Sequence, residues 1–200
     1  MKPQLILDIA GVLVSNLSSD YWGELAHAAG IRVENFKQRF NEEIKADLWT
    51  GRIDEGEFWA WVKKHWPAVD IHQAQLSLSK HLVRLPAYEY LPQWSEAAEI
   101  HLLSNHRHEW LAPHLEGIER YLTSMTISSV AGCRKPDPVI YERVQAKLNP
   151  HAPALFVDDQ ERNLEPARSI GWRTLAADES GEWIAQVEAY LQGTLSIPTE

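Results

Sequence analysis

The chain has 200 residues, of which 44% are hydrophobic, and its formal net charge at pH 7 is -9. This size and hydrophobic content suit one sizeable core, or one core with a small inserted unit, and exclude a disordered or fibrous protein. The negative charge and the lack of any run rich in lysine and arginine argue against a surface that binds nucleic acid.

The sequence also predicts the cellular compartment of the protein and whether it spans a membrane. Cys133 is the only cysteine, so no disulfide can form within the chain. The first residues lead directly into a predicted strand without the apolar region of a signal peptide. No apolar run approaches the roughly 18 residues that a transmembrane helix needs. We therefore expect a cytoplasmic protein that does not span a membrane.

The first predicted element is a short buried strand. The apolar residues 5–7 run directly into Asp8, without the alternation of apolar and polar residues that a half-buried strand shows. Strands buried on both faces are typical of parallel sheets covered by helices. This pattern predicts a central strand that ends abruptly in a carboxylate.

A helical segment follows this strand. From about residue 20 to residue 84, bulky residues recur at spacings of three and four with no convincing strand between them. The pattern predicts four or five helices, with ends at Gly30 and Gly51. Asp54 followed by Glu57 resembles a capping box that opens a helix at 55–65.

Strands and helices alternate over the rest of the chain. We predict helices at 89–98, 109–115, 138–148, 161–170 and 182–191, and strands at 100–103, 124–127, 154–157 and 173–176. This alternation predicts an α/β fold, with a doubly wound parallel sheet and right-handed crossovers.

These patterns predict how the chain divides. Residues 1–14 and 88–195 are expected to form the α/β core, and residues 15–87 an inserted helical subdomain. Residues 196–200 are expected to form a flexible tail.

Carboxylates follow two of the predicted strands. Asp8 comes directly after the first, and Asp158 and Asp159 come directly after the strand at 154–157. The carboxyl ends of parallel strands meet at one edge of the sheet, where such folds bind ligands. Two adjacent carboxylates repel each other and are better explained by a cation. The sequence therefore predicts a magnesium site at this edge.

Three further residues suit an anionic substrate. Lys135 precedes Pro136 and offers a compact positive charge, whereas Ser104 and Asn105 follow the strand at 100–103. The serine hydroxyl and the asparagine amide can donate hydrogen bonds to phosphoryl oxygens. Asp8 is the candidate nucleophile, because an aspartyl-phosphate splits one difficult displacement into two easier ones.

The chain resembles the haloacid dehalogenase (HAD) superfamily, a large group of hydrolases dominated by aspartate-nucleophile phosphatases. The resemblance covers nearly the whole chain, and the helical insertion resembles the small cap domain of the family. It is carried by four motifs in order: Asp8-Ile9-Ala10-Gly11-Val12, Leu102-Leu103-Ser104-Asn105, Lys135-Pro136 and Phe156-Val157-Asp158-Asp159. The resemblance implies Mg²⁺-dependent hydrolysis of a small phosphorylated metabolite, with sugar phosphates among the candidates.

The resemblance also implies a set of metal ligands. Asp8 and the backbone carbonyl of Ala10 are expected to bind the ion, with Asp159 binding directly and Asp158 through water. The order of these last two stays open.

One position departs from the family pattern. Phosphatases of this group usually carry a second aspartate two residues after the nucleophile, and here that residue is Ala10. General acid–base assistance contributes about 10²–10⁴-fold in rate, so its loss leaves slow turnover, a leaving group that needs little protonation, or no turnover. Asp20, Glu24 and His27 of the insertion are candidates to replace the missing acid.

Two alternatives follow from this departure. One is a non-catalytic relative that binds phosphate or a partner protein, although it has no need for a complete set of metal ligands. The other is carbon–halogen hydrolysis, in which halide leaves without a proton and no metal is needed. Uncompensated carboxylates at Asp158 and Asp159 would repel a halo acid, which counts against this alternative. The sequence leaves the substrate and the oligomeric state open.

Overall fold

The computed structural model describes residues 1–178 and 180–198. It contains a five-stranded, wholly parallel sheet with the order β3-β2-β1-β4-β5. The strands are β1 (Gln4–Leu7), β2 (Glu99–Ser104), β3 (Leu122–Ile127), β4 (Ala154–Asp158) and β5 (Arg173–Ala176). The predicted α/β fold with a parallel sheet is confirmed.

The strand order places the predicted site residues side by side. β1 lies in the middle of the sheet, and Leu7 pairs with Leu102 of β2 and with Val157 of β4. The residues that follow these three strands therefore meet at one edge of the sheet. This edge is the usual ligand-binding position of an open α/β fold.

Five helices lie between β1 and β2. They are α1 (Ser19–Ala28), α2 (Val33–Glu43), α3 (Lys45–Thr50), α4 (Glu55–His65) and α5 (Ile71–His81). The predicted capping box is present, since Asp54 accepts from the backbone of Glu57 and the Glu57 side chain accepts from the backbone of Asp54. The helical character of this segment is thus as predicted, whereas the exact domain boundaries stay a prediction.

The remaining helices flank the sheet. They are α6 (Leu91–Ala97), α7 (His108–Leu115), α8 (Ser128–Ala131), α9 (Pro138–Gln145), α10 (Glu161–Ser169) and α11 (Glu182–Leu191). The predicted helix at 89–98 is divided into a 3₁₀ turn, Pro86–Tyr90, and α6. Pro92 lies in the first turn of α6, where a residue without an N–H is tolerated. The short helix α8 was not predicted.

The sheet separates two buried layers. Successive side chains of a strand point to opposite faces, so Leu5 and Leu7 pack in one layer while Ile6 packs in the other. The first layer also contains the aromatic residues of the helical insertion, such as Trp22 and Phe40. A single hydrophobic layer therefore joins the insertion to the sheet.

Buried polar contacts also fasten the end of α3 to the core. The Arg107 guanidinium is buried and donates from Nη1 to the carbonyls of Leu48, at 3.3 Å, and Ile53, at 2.7 Å. The Ser128 hydroxyl donates to the carbonyl of Trp49 at 2.6 Å. These bonds hold the loop after α3 beside the carboxyl edge of the sheet.

The C-terminal segment is described up to residue 198, so residues 199 and 200 of the predicted tail lie outside the described residues. Ile197 is buried, and its carbonyl accepts a hydrogen bond from Arg173 Nε at 2.6 Å. The described part of the tail is thus anchored to β5. Among the described residues, every helix is too short or too polar to cross a bilayer.

Candidate active site

Lys135 joins two carboxylates at the centre of the site. Its Nζ lies 2.8 Å from Asp8 Oδ2 and 2.5 Å from Asp158 Oδ2, and it donates to the carbonyl of Leu103 at 2.9 Å. Lys135, Asp8 and Asp158 are all buried. An ammonium group has three hydrogens, so the protein satisfies all of them.

This contact controls the protonation of both charged partners. Burial acts to lower the pKa of Lys135, but the two carboxylates outweigh it and hold that pKa above its usual range. Burial raises the pKa of Asp8 to about 7, with the Lys135 charge acting against this rise and the Asp158 charge adding to it. A cation beside Asp8 would lower its pKa again and favour the ionised nucleophile.

Asp158 is fully engaged by the protein. In addition to Lys135 at Oδ2, its Oδ1 accepts from the Gln160 backbone at 2.8 Å and from Asn163 Nδ2 at 2.9 Å. Both oxygens therefore already have partners. This arrangement fits the predicted indirect role of Asp158 at a metal ion.

Asp159 has one oxygen to spare. Its Oδ2 accepts from Asn16 Nδ2 at 2.8 Å, whereas its buried Oδ1 has no hydrogen-bond partner in the described part of the chain. Burial raises the pKa of this carboxyl above its usual range. Leaving a buried carboxylate oxygen unpaired costs free energy, so the position favours a cation.

The acidic residues fit a single magnesium ion. One oxygen each from Asp8, Asp158 and Asp159 lie within 4.8 Å of one another. Three carboxylates face one ammonium group, which leaves a net negative charge, and Mg²⁺ prefers such oxygen ligands. Among the described residues, the carbonyl of Ala10 accepts no backbone hydrogen bond and is free for the role that the resemblance implies.

The two predicted phosphate contacts differ in their surroundings. Ser104 is fully buried, and its hydroxyl lowers the pKa of Asp8. Its contact with Asp8 falls outside ordinary hydrogen-bond geometry, and the hydroxyl has no other partner among the described residues. Asn105 instead binds the backbone of Lys135 through its amide, with its Nδ2 and its Oδ1 each 2.8 Å from their partners.

A cavity of about 380 Å³ opens beside Asp8 and Ala10. Side chains of the helical insertion line it as well, with Trp22, Phe40 and Trp49 among them. Its volume is within the range of small-molecule sites. The insertion is therefore in a position to select the substrate.

His106 is a cavity residue that the sequence did not reveal. It lines the same space, is buried, and its Nδ1 lies 3.2 Å from the carbonyl of Arg107. Its Nε2 has no partner among the described residues, and burial lowers its pKa to about 4. Because carbonyl oxygens only accept, Nδ1 carries the proton, and Nε2 of the neutral ring can accept a hydrogen bond from a ligand.

The insertion residues considered as substitutes for the missing acid lie elsewhere. Asp20, Glu24 and His27 are exposed, and none of them lines the cavity. Glu24 accepts from Ser77 and forms an ion pair with His81 at 3.3 Å. None of these three residues is therefore placed to supply the missing acid in this structure.

Comparison with known proteins supports the fold. No protein-family model matches the chain, and no curated protein sequence matches it. A HAD family enzyme from Bacteroides thetaiotaomicron shares 23% identity and a TM-score of 0.80, over 92% of this chain and 98% of that one. A structure of that enzyme with magnesium and inorganic phosphate has 24% identity and a TM-score of 0.78, over 93% and 99% of the two chains.

Dehalogenases are among the similar structures too. L-2-haloacid dehalogenase from Xanthobacter autotrophicus, with chloropropionic acid covalently bound, shares 19% identity and a TM-score of 0.59 over 100% of this chain and 86% of that one. A predicted HAD-like family hydrolase from Porphyromonas gingivalis has 21% identity and a TM-score of 0.78, over 96% and 98% of the two chains. The chain thus has the HAD fold that the four motifs implied.

Proposed function

We propose that this chain is a Mg²⁺-dependent phosphatase that acts on a small phosphorylated metabolite through an aspartyl-phosphate at Asp8. The observation that carries the proposal is the buried contact of Lys135 with Asp8 and Asp158, beside an Asp159 oxygen that has no partner in the described part of the chain. A non-catalytic fold has no physical need for this arrangement.

We also propose a cytoplasmic location, in keeping with the single cysteine.

The protein orients the proposed nucleophile on both sides. Asp8 Oδ2 contacts Lys135, and Asp8 Oδ1 accepts from the backbone N–H of Ile9 at 2.7 Å. These contacts hold the carboxylate in one orientation in the lining of the cavity. A fixed nucleophile removes much of the entropic cost of reaching the reactive geometry.

The reaction then has two steps. An oxygen of Asp8 attacks phosphorus as the bond from phosphorus to the leaving oxygen breaks, and the leaving oxygen takes a proton from water because Ala10 has none to give. Water next attacks the phosphorus of the aspartyl-phosphate, which releases inorganic phosphate and restores Asp8. The positive charge of Lys135, whose three hydrogens already have protein partners, would stabilise the phosphoryl oxygens through space, and the Ser104 hydroxyl would donate a hydrogen bond to one of them. A magnesium ion held by Asp8, Asp159 and the Ala10 carbonyl would offset the charge of nucleophile and substrate.

The absence of a second acid defines the chemistry that suits this site. Without a proton donor, esters with good leaving groups react fastest, so sugar 1-phosphates and aryl and acyl phosphates are the preferred class. Carbon–halogen hydrolysis shares this absence, and dehalogenases share the fold. The carboxylate cluster favours the phosphatase, because Asp8, Asp158 and Asp159 together suit a divalent cation, which carbon–halogen hydrolysis does not need.

The test is phosphate release from a panel of sugar, aryl and acyl phosphates, with and without magnesium. We expect Mg²⁺-dependent release from the natural chain, loss of release in Asp8→Asn, and a gain of up to about 10²–10⁴-fold in Ala10→Asp. Asp20→Asn is the matched control, because it removes an exposed carboxylate of the insertion that does not line the cavity.

Two outcomes would replace the proposal. Release of chloride from 2-chloropropionate without magnesium, and no phosphate release, would identify a dehalogenase. No release from any ester, either by the natural chain or by Ala10→Asp, would identify a binding protein.

A further inference from the structure

Four basic side chains that are far apart in the sequence converge on the cavity that contains Asp8. They line it from α2, α3, the segment before Lys135 and the start of α10, and they are Lys37, Lys45, Arg134 and Arg162. Asp8 is the only carboxylate among the described lining residues. We call these four residues the cationic wall.

The cationic wall is not neutralised by the protein. No ion pair within 4.0 Å joins any of the four residues to a carboxylate in the described ranges. Burial lowers the pKa of Lys45, and the charges of Arg134 and Arg162 lower it further. Bases are outnumbered in this chain, with 19 lysine and arginine residues against 28 acidic residues. Four bases on one cavity, none with an acidic partner among the described residues, are therefore unexpected and indicate an anionic ligand.

A single transferring phosphate does not account for this charge. The proposed phosphate position beside Asp8 already has Lys135, the Ser104 hydroxyl and the candidate cation. Lys37 and Lys45, by contrast, belong to the helical insertion, which forms a different part of the cavity from the sheet edge. A second negative group at a distance from the reacting phosphorus would meet this part.

We propose that the cationic wall binds a second anionic group of the substrate. The preferred substrates are then small organic phosphates that carry a second phosphate or a carboxylate. This inference rests on the proposed function for the position of the first phosphate and adds the substrate class. The cavity volume of about 380 Å³ restricts the ligand to a small metabolite.

The test compares matched ligands that differ in one anionic group. Binding of fructose 1-phosphate and fructose 1,6-bisphosphate, and of glycerol 3-phosphate and 3-phosphoglycerate, is measured by calorimetry with magnesium on Asp8→Asn, which prevents turnover. The same titrations on the natural chain in EDTA keep the result independent of that substitution. We expect the ligand with the additional anionic group to bind at least tenfold more tightly, and the comparison of pairs separates a phosphate from a carboxylate preference.

Variants of the wall locate the effect. Lys45→Gln and Arg134→Gln, each combined with Asp8→Asn, are expected to reduce the preference for the bisphosphate at least fivefold and to change fructose 1-phosphate binding much less. Lys64→Gln is the control, because Lys64 is exposed on α4 and does not line the cavity. With the cationic wall unchanged, raising the salt concentration should weaken the preference for the ligand with the additional anionic group, because salt screens the attraction between the bases and that group.

The outcomes separate this inference from the proposed function. Equal affinity for the members of both pairs, or no binding of any ligand, would overturn the cationic wall as a binding site even where the natural chain hydrolyses monophosphates. Tighter binding of the bisphosphate that is lost in Lys45→Gln supports the wall even where no phosphate is released, and in that case only the proposed hydrolysis fails.

Discussion

The side chain of Asn105 and the backbone of Lys135 form two reciprocal hydrogen bonds, each 2.8 Å long. Asn105 follows β2, whereas Lys135 lies in the loop before α9, so these bonds join two segments that the sequence separates. They fix the backbone from which the Lys135 ammonium reaches Asp8. Asn105 thereby acts on the proposed nucleophile through the lysine, as a positioning residue.

Replacement of Asn105 should therefore lower turnover more than substrate affinity. In Asn105→Ala both hydrogen bonds are lost and the Lys135 backbone is free to shift, so we expect kcat to fall about tenfold or more with KM within about threefold. Steady-state kinetics on the best ester of the panel measure this division. A KM that rises tenfold with unchanged kcat would show instead that the Asn105 amide contacts the phosphate, as its position after a strand first indicated.

Sequence patterns were most informative where a buried strand ends in a polar residue. The apolar runs before Asp8, Ser104 and Asp158 specify strands buried on both faces, and a parallel sheet then brings their ends together. Both the fold and the candidate metal site follow from this one pattern, in which a buried apolar strand ends in a polar residue. The capping box at Asp54 was readable for the same reason, because it depends on residues three positions apart.

Contacts between distant segments were not readable in this way. The partnership of Asn16 with Asp159, and that of Asn163 with Asp158, depends on how a loop and a helix turn back towards the strand ends. The cationic wall was equally hidden, since its members never cluster along the chain. A net charge describes the whole molecule and does not reveal where bases converge on one cavity.

Magnesium should stabilise the folded chain. Ligand at 100 times its Kd adds about 2.7 kcal/mol, which for a domain of this size corresponds to a rise in Tm of about 5–10 °C. Asp159→Asn removes the carboxylate whose Oδ1 has no described partner, so we expect most of the Mg²⁺-induced rise to disappear. Thermal unfolding of each variant in MgCl₂ and in EDTA measures the Mg²⁺-induced rise in Tm, with Asp20→Asn as the control. An undiminished rise in Asp159→Asn would remove Asp159 from the metal site.

Gly51 and Gly30 provide a matched pair for the contact between the insertion and the core. Both have a φ of +70°. A Cβ on Gly51 would lie 1.9 Å from the backbone oxygen of Ser129, whereas a Cβ on Gly30 would meet no described atom within 4 Å. We expect Gly30→Ala to lower the free energy of unfolding by about 1–2 kcal/mol, because alanine is strained at this positive φ.

Gly51→Ala should cost more, by about 1–3 kcal/mol, because the loop after α3 must move away from α8. Urea unfolding of the two variants measures the difference directly, as the conformational cost is common to both. Equal losses would mean that the loop can withdraw from Ser129 freely, and that the polar contacts of Arg107 do not hold it in place.

The stability of the fold should depend on the protonation of His101. This residue of β2 is fully buried, with Nδ1 2.7 Å from Ser124 Oγ and Nε2 3.0 Å from Gln4 Oε1. Gln4 uses its Nε2 to donate to Glu99, so its Oε1 accepts and the His101 ring donates through Nε2. Both ring nitrogens are thus satisfied in the neutral form, and a second proton would place a positive charge in a buried position.

Burial lowers the pKa of His101 from 6.5 to about 4 in the folded chain. The unfolded chain therefore binds a proton first as the pH falls, so the contribution of the neutral ring is fully present above pH 6.5. It is lost progressively between pH 6.5 and 4, by about 3 kcal/mol in total at roughly 1.4 kcal/mol per pH unit.

We expect His101→Gln to be less stable than the natural chain at pH 7.5, and this difference in the free energy of unfolding to shrink or reverse by about 2–3 kcal/mol at pH 4.5. Urea unfolding at the two pH values measures it. The other titrating groups, including buried His106, are present in both chains and cancel in the comparison. His72→Gln, at an exposed position of α5, should show no such change. A pH-independent difference for His101→Gln would mean that the folded chain accommodates the protonated ring without cost.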